Sequence, residues 1–205
     1  MDFENAKNNI EQEEEYLKML SQLGIQPENI HGDVLDVGAG DAGFIDYIKQ
    51  KSDAQFTAVD ITISEETKDK VVQADVRKLP FNDKSFDLIL SYASIPNIFV
   101  NLYSPDHPVE SEEEIGNAVK KAFDEMIRVM KDRGKIILSR VQFAENYDAQ
   151  KIVNRVIEAN VERLVKEGFD VQFDFLETHF DPVDNESKDF YRLILILFLP
   201  VSPDK

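Results

Sequence analysis

The stretch Val34-Leu35-Asp36-Val37-Gly38-Ala39-Gly40-Asp41-Ala42-Gly43-Phe44 constrains this chain more than any other part of it. A short apolar run that ends in an acid and breaks into three glycines reads as a buried parallel strand turning tightly into a helix. The glycines stand where the backbone needs φ > 0 or approaches a ligand closely. Such a turn marks a ligand site. Gly38-x-Gly40-x-x-Gly43 also matches the dinucleotide fingerprint, in which a pyrophosphate rests on the helix N-terminus. Asp36 bears on that choice, because a carboxylate aimed at the loop repels a pyrophosphate and suits a ligand carrying an ammonium group.

A chain of 205 residues with 42% hydrophobic content can bury one sizeable core, so residues 1–205 are read as a single domain. Acidic residues outnumber basic ones by 40 to 23, a net charge of -17 whose field repels phosphate backbones and anionic bilayers. The expected partners therefore include no nucleic acid and no membrane, and the acidic surface serves mainly solubility. The chain has no cysteine, which excludes disulfides, thiolate metal sites and a cysteine nucleophile and agrees with a reducing compartment. The N-terminus lacks the basic and apolar regions of a signal peptide. The apolar run from Leu193 to Pro200 is too short to span a bilayer, and a cytoplasmic location is expected. The three histidines are scattered along the chain, so no metal site is expected.

Phe3, Ala6, Ile10, Tyr16, Leu17, Leu20 and Leu23 lie near helical spacing, with Glu11 to Glu15 on the outer face and Gly24 and Pro27 as terminators. The stretch Asp41 to Lys51 predicts the helix that follows the glycine loop. Gln55 to Asp60 predicts a second buried strand whose final carboxylate lies beside that loop, where it can accept both hydroxyl protons of a ribose. Enzymes that bind NAD use the same arrangement, so Asp60 indicates an adenosine ligand without naming it. Ile61 to Lys70 is too short for a full crossover helix, and a single turn is expected from Ser64. Lys70 to Asp75 predicts a third strand and Phe86 to Leu90 a fourth. Residues 92–110 follow, rich in proline and aromatics and too apolar for disorder, and we read them as a substrate loop. Ser111-Glu112-Glu113-Glu114 is a capping box opening a helix on Ile115, Val119, Ala122, Phe123, Met126, Ile127 and Met130. Residues 128–138 close that helix and open a fifth strand. Residues 148–167 predict another amphipathic helix; Phe169 to Phe175 alternate as a half-buried strand, and Tyr191 to Leu199 form a buried one.

Three of these segments carry a family resemblance. Asp36-x-Gly38-x-Gly40 resembles the first motif of the class I S-adenosylmethionine-dependent methyltransferases. The run from Asp75 through Leu79-Pro80-Phe81 to Ser85-Phe86-Asp87 resembles their third-strand pattern, most closely in the ubiquinone and menaquinone biosynthesis type. Arg128 to Leu138 resembles the family's Leu-Lys-Pro-Gly-Gly turn, with Asp132 and Arg133 replacing the proline and the first glycine. The likeness extends from Asp33 to Pro200. It implies an α/β fold with a doubly wound, seven-stranded, mostly parallel sheet ending in an antiparallel strand pair. It also implies that the N-terminal helix, residues 1–24, helps to cover the cofactor cleft.

The resemblance further implies a methyl transfer from S-adenosylmethionine to a small-molecule acceptor. The cofactor would lie against Asp36, Gly38, Ala39, Gly40, Asp60, Ile61, Asp75, Val76 and Ser91, with Asp75 at the adenine amino group and the next backbone amide at a ring nitrogen. Tyr92 and Asn97 follow the fourth strand, where acceptor is expected, and His107 and His179 are candidate bases if the acceptor arrives protonated. No Asn-Pro-Pro-Tyr-like motif follows that strand, so the amino-group methylation signature of nucleic-acid and protein-glutamine enzymes is missing. Two other readings share the fold: a non-catalytic binder of S-adenosylmethionine or a nucleotide, and an NAD-binding oxidoreductase. The third-strand pattern and the terminal strand pair argue against the second. A monomer or homodimer fits the chain equally.

Overall fold

A computed structural model describes the backbone of residues 3–94, 112–143, 148–181 and 186–197. Its centre is a seven-stranded sheet of order β3-β2-β1-β4-β5-β7-β6. The strands are β1 (Asp33–Val37), β2 (Gln55–Asp60), β3 (Val71–Gln73), β4 (Phe86–Tyr92), β5 (Met130–Phe143), β6 (Phe169–Asp181) and β7 (Glu186–Leu197). The first five are parallel to one another, and β7 inserts antiparallel between β5 and β6. This is the doubly wound sheet with a terminal antiparallel pair that the resemblance implied.

Sheet faces follow from single-residue alternation. In β1, Val34 packs against helices α1 (Phe3–Leu23) and α2 (Gly43–Lys49), while Leu35 packs against the opposite layer, α3 (Glu112–Val129) and α4 (Asp148–Lys166). Both residues have no solvent exposure, which is why the strand reads as a continuous apolar run rather than an alternating one. Leu20 and Leu23 of α1 and Phe44 and Ile48 of α2 meet Val34, Leu90 and Ile137. On the other side Ile115, Val119, Phe123 and Met126 of α3 meet Leu35, Ile89 and Ile136. The acidic first turn of α3, Glu112 to Glu114, suits the positive end of a helix dipole.

Several boundaries differ from the sequence expectation. The helix after the glycine loop is shorter than Asp41 to Lys51, running only from Gly43 to Lys49, because the loop itself uses residues through Ala42. No helix joins β2 to β3; Thr67 and Lys68 donate back to the Ser64 carbonyl in a single turn, as expected. The strand that follows is only Val71–Gln73, shorter than Lys70 to Asp75. Met130 belongs to β5, paired with Phe86, rather than to the buried stripe of α3. Residues 131–134 form a bulge there between the Phe86 and Leu88 registers, and Arg133, which stands where the family pattern has its first glycine, takes a positive φ of 67°. Ser111 of the capping box lies outside the described residues.

Candidate functional site

The carboxyl ends of β1, β2, β3 and β4 converge on a cleft of about 190 Å³. Its walls are Val37 and Gly38 after β1, Val59, Asp60 and Ile61 at β2, Ala74, Asp75 and Val76 after β3, and Ala93 and Ser94 after β4. The strand order reverses between β1 and β4, and ligands of open α/β sheets bind at that crevice.

The glycine loop is shaped by contacts on both of its sides. Gly38 and Ala39 donate to the Val59 carbonyl, at 2.9 and 3.0 Å, which ties the loop to the neighbouring strand. Gly38 and Gly40 have positive φ, 79° and 55°. Their surroundings differ. A Cβ on Gly38 would collide with the Ser94 side chain, whereas one on Gly40 would meet nothing within 4 Å. Gly43 lies in the regular first turn of α2, and the left-handed position before it is held by Ala42 at φ 63°. The third glycine is thus required by packing, since a Cβ there would meet the Tyr16 hydroxyl of α1.

Three carboxylates face three different demands. Asp60 accepts from Gly40 N and Thr62 N, each at 2.9 Å and on a different oxygen, so the expected ribose acid also closes the loop. Each oxygen keeps further acceptor capacity for a hydroxyl. Asp75 is held in a bidentate pair with Arg77, Nε and Nη2 lying 2.9 and 2.6 Å from Oδ2, and the Arg77 backbone amide donates to it as well. That guanidinium holds the Asp75 carboxyl below its ordinary pKa. Asp36 has no such partner. It is buried at 5% exposure, and among the described residues no donor reaches its carboxylate. Burial first, and the nearby Asp60 charge second, push its pKa up to about 7.

The cleft gathers Gly38, Asp60, Ile61, Asp75 and Val76 of the residues singled out by sequence. Gly40 is not in that lining; it borders a second depression with Asp60 and Thr62, and Asp60 lines both. Ala39 lines neither and packs against the small apolar cluster of Ala42, Ala58 and Val71. Ser91 is not in the lining: it is buried within β4, and its hydroxyl shares a hydrogen bond with Ser94, which in turn donates to the Val37 carbonyl at 2.8 Å. Tyr92 closes β4 and donates to the Gln22 side chain of α1 at 2.5 Å. Asn97 and His107 lie outside the described residues, and the backbone of His179 pairs in register with Lys188 on β6 and β7. Ala93 and Ser94, which the sequence reading placed only in the 92–110 substrate loop, line the cleft; their signal is a pair of small residues directly after the fourth strand.

The residues fit an adenosyl ligand bearing an ammonium. Asp36 is a buried carboxylate lacking a cation, Gly40 leaves open space at the loop, and the Val76 amide, at the cleft wall, has no acceptor among the described residues. Among those residues no group of histidines and acids could hold a metal ion.

This sheet order, with such a cleft at its switch point, defines the fold of a class I S-adenosylmethionine-dependent methyltransferase. Residues 35–138, just over half of the chain, match the family model described as a methyltransferase domain, and the chain belongs to that family. No curated protein matches it in sequence. Among solved structures it resembles phosphoethanolamine N-methyltransferase 2 of Haemonchus contortus, in complex with phosphomonomethylethanolamine and S-adenosylhomocysteine (TM-score 0.57, 14% identity, covering 91% of this chain and 53% of the other). The chain thus spans about half the length of that enzyme. It also resembles the PH0226 protein of Pyrococcus horikoshii (TM-score 0.57, 20% identity, 90% and 91% covered). A third likeness is to geranyl diphosphate C-methyltransferase of Streptomyces coelicolor (TM-score 0.59, 9% identity, 91% and 79% covered). At these identities the likeness is one of fold.

Proposed function

We propose that this protein transfers a methyl group from S-adenosylmethionine to a small organic acceptor. The observation that carries the reading is the convergence of Gly38, Asp60, Asp75 and Val76 on one crevice, with the carboxylate of Asp36 buried in β1 one residue before the lining begins at Val37; each offers a group that a different part of the cofactor needs. Bound there, S-adenosylmethionine supplies a methyl group already activated by its sulfonium. The protein's own part is therefore to bind, align and exclude water, and proximity provides most of the rate. Asp36 would hold the ammonium, Asp60 the ribose hydroxyls, and Asp75 with the Val76 amide the purine edge. Ala39 and Gly40 would lie along the backbone approach, Ile61 against the ring, and Ser91 would brace Ser94 from beneath.

Acceptor recognition we assign to residues 92–110, which leave β4 beside the switch point. Tyr92 and Asn97 would orient the acceptor, and His107 would take a proton if the acceptor arrives protonated. The net charge of -17 argues against nucleic acid, and similarly folded enzymes are described with small acceptors such as geranyl diphosphate. No helix among the described residues is long and apolar enough to cross a membrane. Calorimetric titration with S-adenosylmethionine, S-adenosylhomocysteine and NAD tests the cofactor: the adenosyl compounds bind and NAD does not. Binding of NAD without any response to the adenosyl ligands overturns the reading. Incubation with S-adenosylmethionine and a metabolite extract, followed by mass spectrometry, then identifies the acceptor as the component that gains one methyl group.

A further inference from the structure

The segment from Ala74 to Ser85 forms the purine side of the cleft, yet it contains no helix or strand of its own. A coil with this task needs external anchors. One end is tied to β2, where Ala74 donates to the Asp60 carbonyl at 2.9 Å. The other end is tied to the last turns of α3. Glu125 accepts from Leu79 N at 2.9 Å, while Arg128 donates to the Leu79 carbonyl at 3.0 Å and to the Phe81 carbonyl at 2.8 Å. The same guanidinium reaches Asp83 at 2.7 Å and both oxygens of Glu125 at 2.9 Å. Lys84 and Ser85 then donate to the carbonyls of Arg128 and Val129. Val76 and Leu79 are each 3% exposed and lie in the core that α3 lines.

We infer that Arg128 and Glu125 are positioning residues for the purine edge of the cofactor site. Together they satisfy both backbone groups of Leu79, three residues beyond the Val76 amide, and so set where that amide points. The planar fork of arginine is what allows one side chain to hold two carbonyls and two carboxylates at once, which a lysine ammonium on a flexible stem does not reproduce. The inference rests on the S-adenosylmethionine reading above and deepens it.

The test is base discrimination, measured by calorimetry with S-adenosylhomocysteine and its inosyl analogue, in which the six-amino group is replaced by oxygen and the adjacent ring nitrogen carries hydrogen. The unmodified protein prefers the adenosyl compound. In Arg128→Lys and Glu125→Ala that preference falls by about fivefold, the worth of one aligned hydrogen bond. Ile137→Ala, a cavity in the separate core that α1 and α2 cover, serves as the stability control: it lowers the melting temperature and leaves the preference unchanged. If Glu125→Ala does not fold, Arg128→Lys alone decides. A preference kept in Arg128→Lys while its melting temperature falls overturns the inference and makes the clamp purely structural. Failure of the unmodified protein to bind S-adenosylhomocysteine at all overturns instead the cofactor assignment on which it rests.

Discussion

The buried acid Asp36 illustrates how a site residue works against the fold that contains it. Its pKa stands at about 7 against an ordinary 3.8. The folded state therefore holds a proton that the unfolded chain releases, and this carboxyl's contribution to stability declines as pH rises from about 4 to about 7. Asp36→Asn removes the ionisable group, so the variant is expected to gain on the unmodified protein by up to a few kcal/mol at pH 8 and by little at pH 4. Denaturant midpoints at the two pH values check this, and parallel pH profiles would count against it. The same substitution removes the ammonium partner, so affinity for S-adenosylmethionine drops as stability rises. In the unmodified protein that affinity climbs as pH rises through about 7, where Asp36 is half ionised, and levels off above it.

The glycines offer a second contrast at this scale. Gly38→Ala drives a methyl group into Ser94 and strains a φ of 79°, so it destabilises the protein itself. Gly40→Val meets open space within the protein and is expected to fold with a cost of about 1–2 kcal/mol from its left-handed φ, while losing S-adenosylmethionine binding. Thermal melts and calorimetry on both variants separate the two effects. A Gly40→Val protein that binds normally would show that the ligand does not approach that face. Asp60→Ala is expected to weaken S-adenosylmethionine by about 1.5–3 kcal/mol, the range for hydrogen bonds to a charged group. It also frees the Gly40 and Thr62 amides, so a control melt belongs with the titration.

At the scale of elements, α1 is joined to the sheet at its C-terminal turn. Leu20 and Leu23 supply the apolar contact, and the Ser139 hydroxyl donates to the Gln22 carbonyl at 3.1 Å in full burial. Ser139→Ala removes that buried hydrogen bond and is expected to cost about 0.5–1.5 kcal/mol in chemical denaturation. S-adenosylhomocysteine affinity should stay unchanged, because the tether lies on the α1 face and the cleft lining does not include it. A matching loss of affinity would mean that α1 belongs to the cofactor site.

For the whole molecule, the excess of 40 acidic over 23 basic side chains produces self-repulsion that salt screens within about 10 Å at 0.1 M. The melting temperature is expected to rise between 0.01 and 0.5 M sodium chloride, and a fall on adding salt would show that the local ion pairs outweigh the net charge. The fold itself was largely legible in the chain. Val34-Leu35 and Ile89-Leu90 are buried on both faces of the sheet and so advertise themselves as apolar runs, and the glycine loop with its trailing Asp60 identified the crevice. Both depend on residues adjacent in sequence, where backbone geometry and side-chain periodicity act locally. What only the tertiary structure decided are the contacts between residues far apart in the chain. Asp60 closes the glycine loop, Gly43 yields to Tyr16, and Ser94 fills the space that Gly38 leaves. The purine edge hangs from Arg128 and Glu125. None of these has a sequence signature, because each arises when the sheet brings strand ends and helix termini together, and hydrogen bonds of that kind are set by distance in space rather than by spacing along the chain.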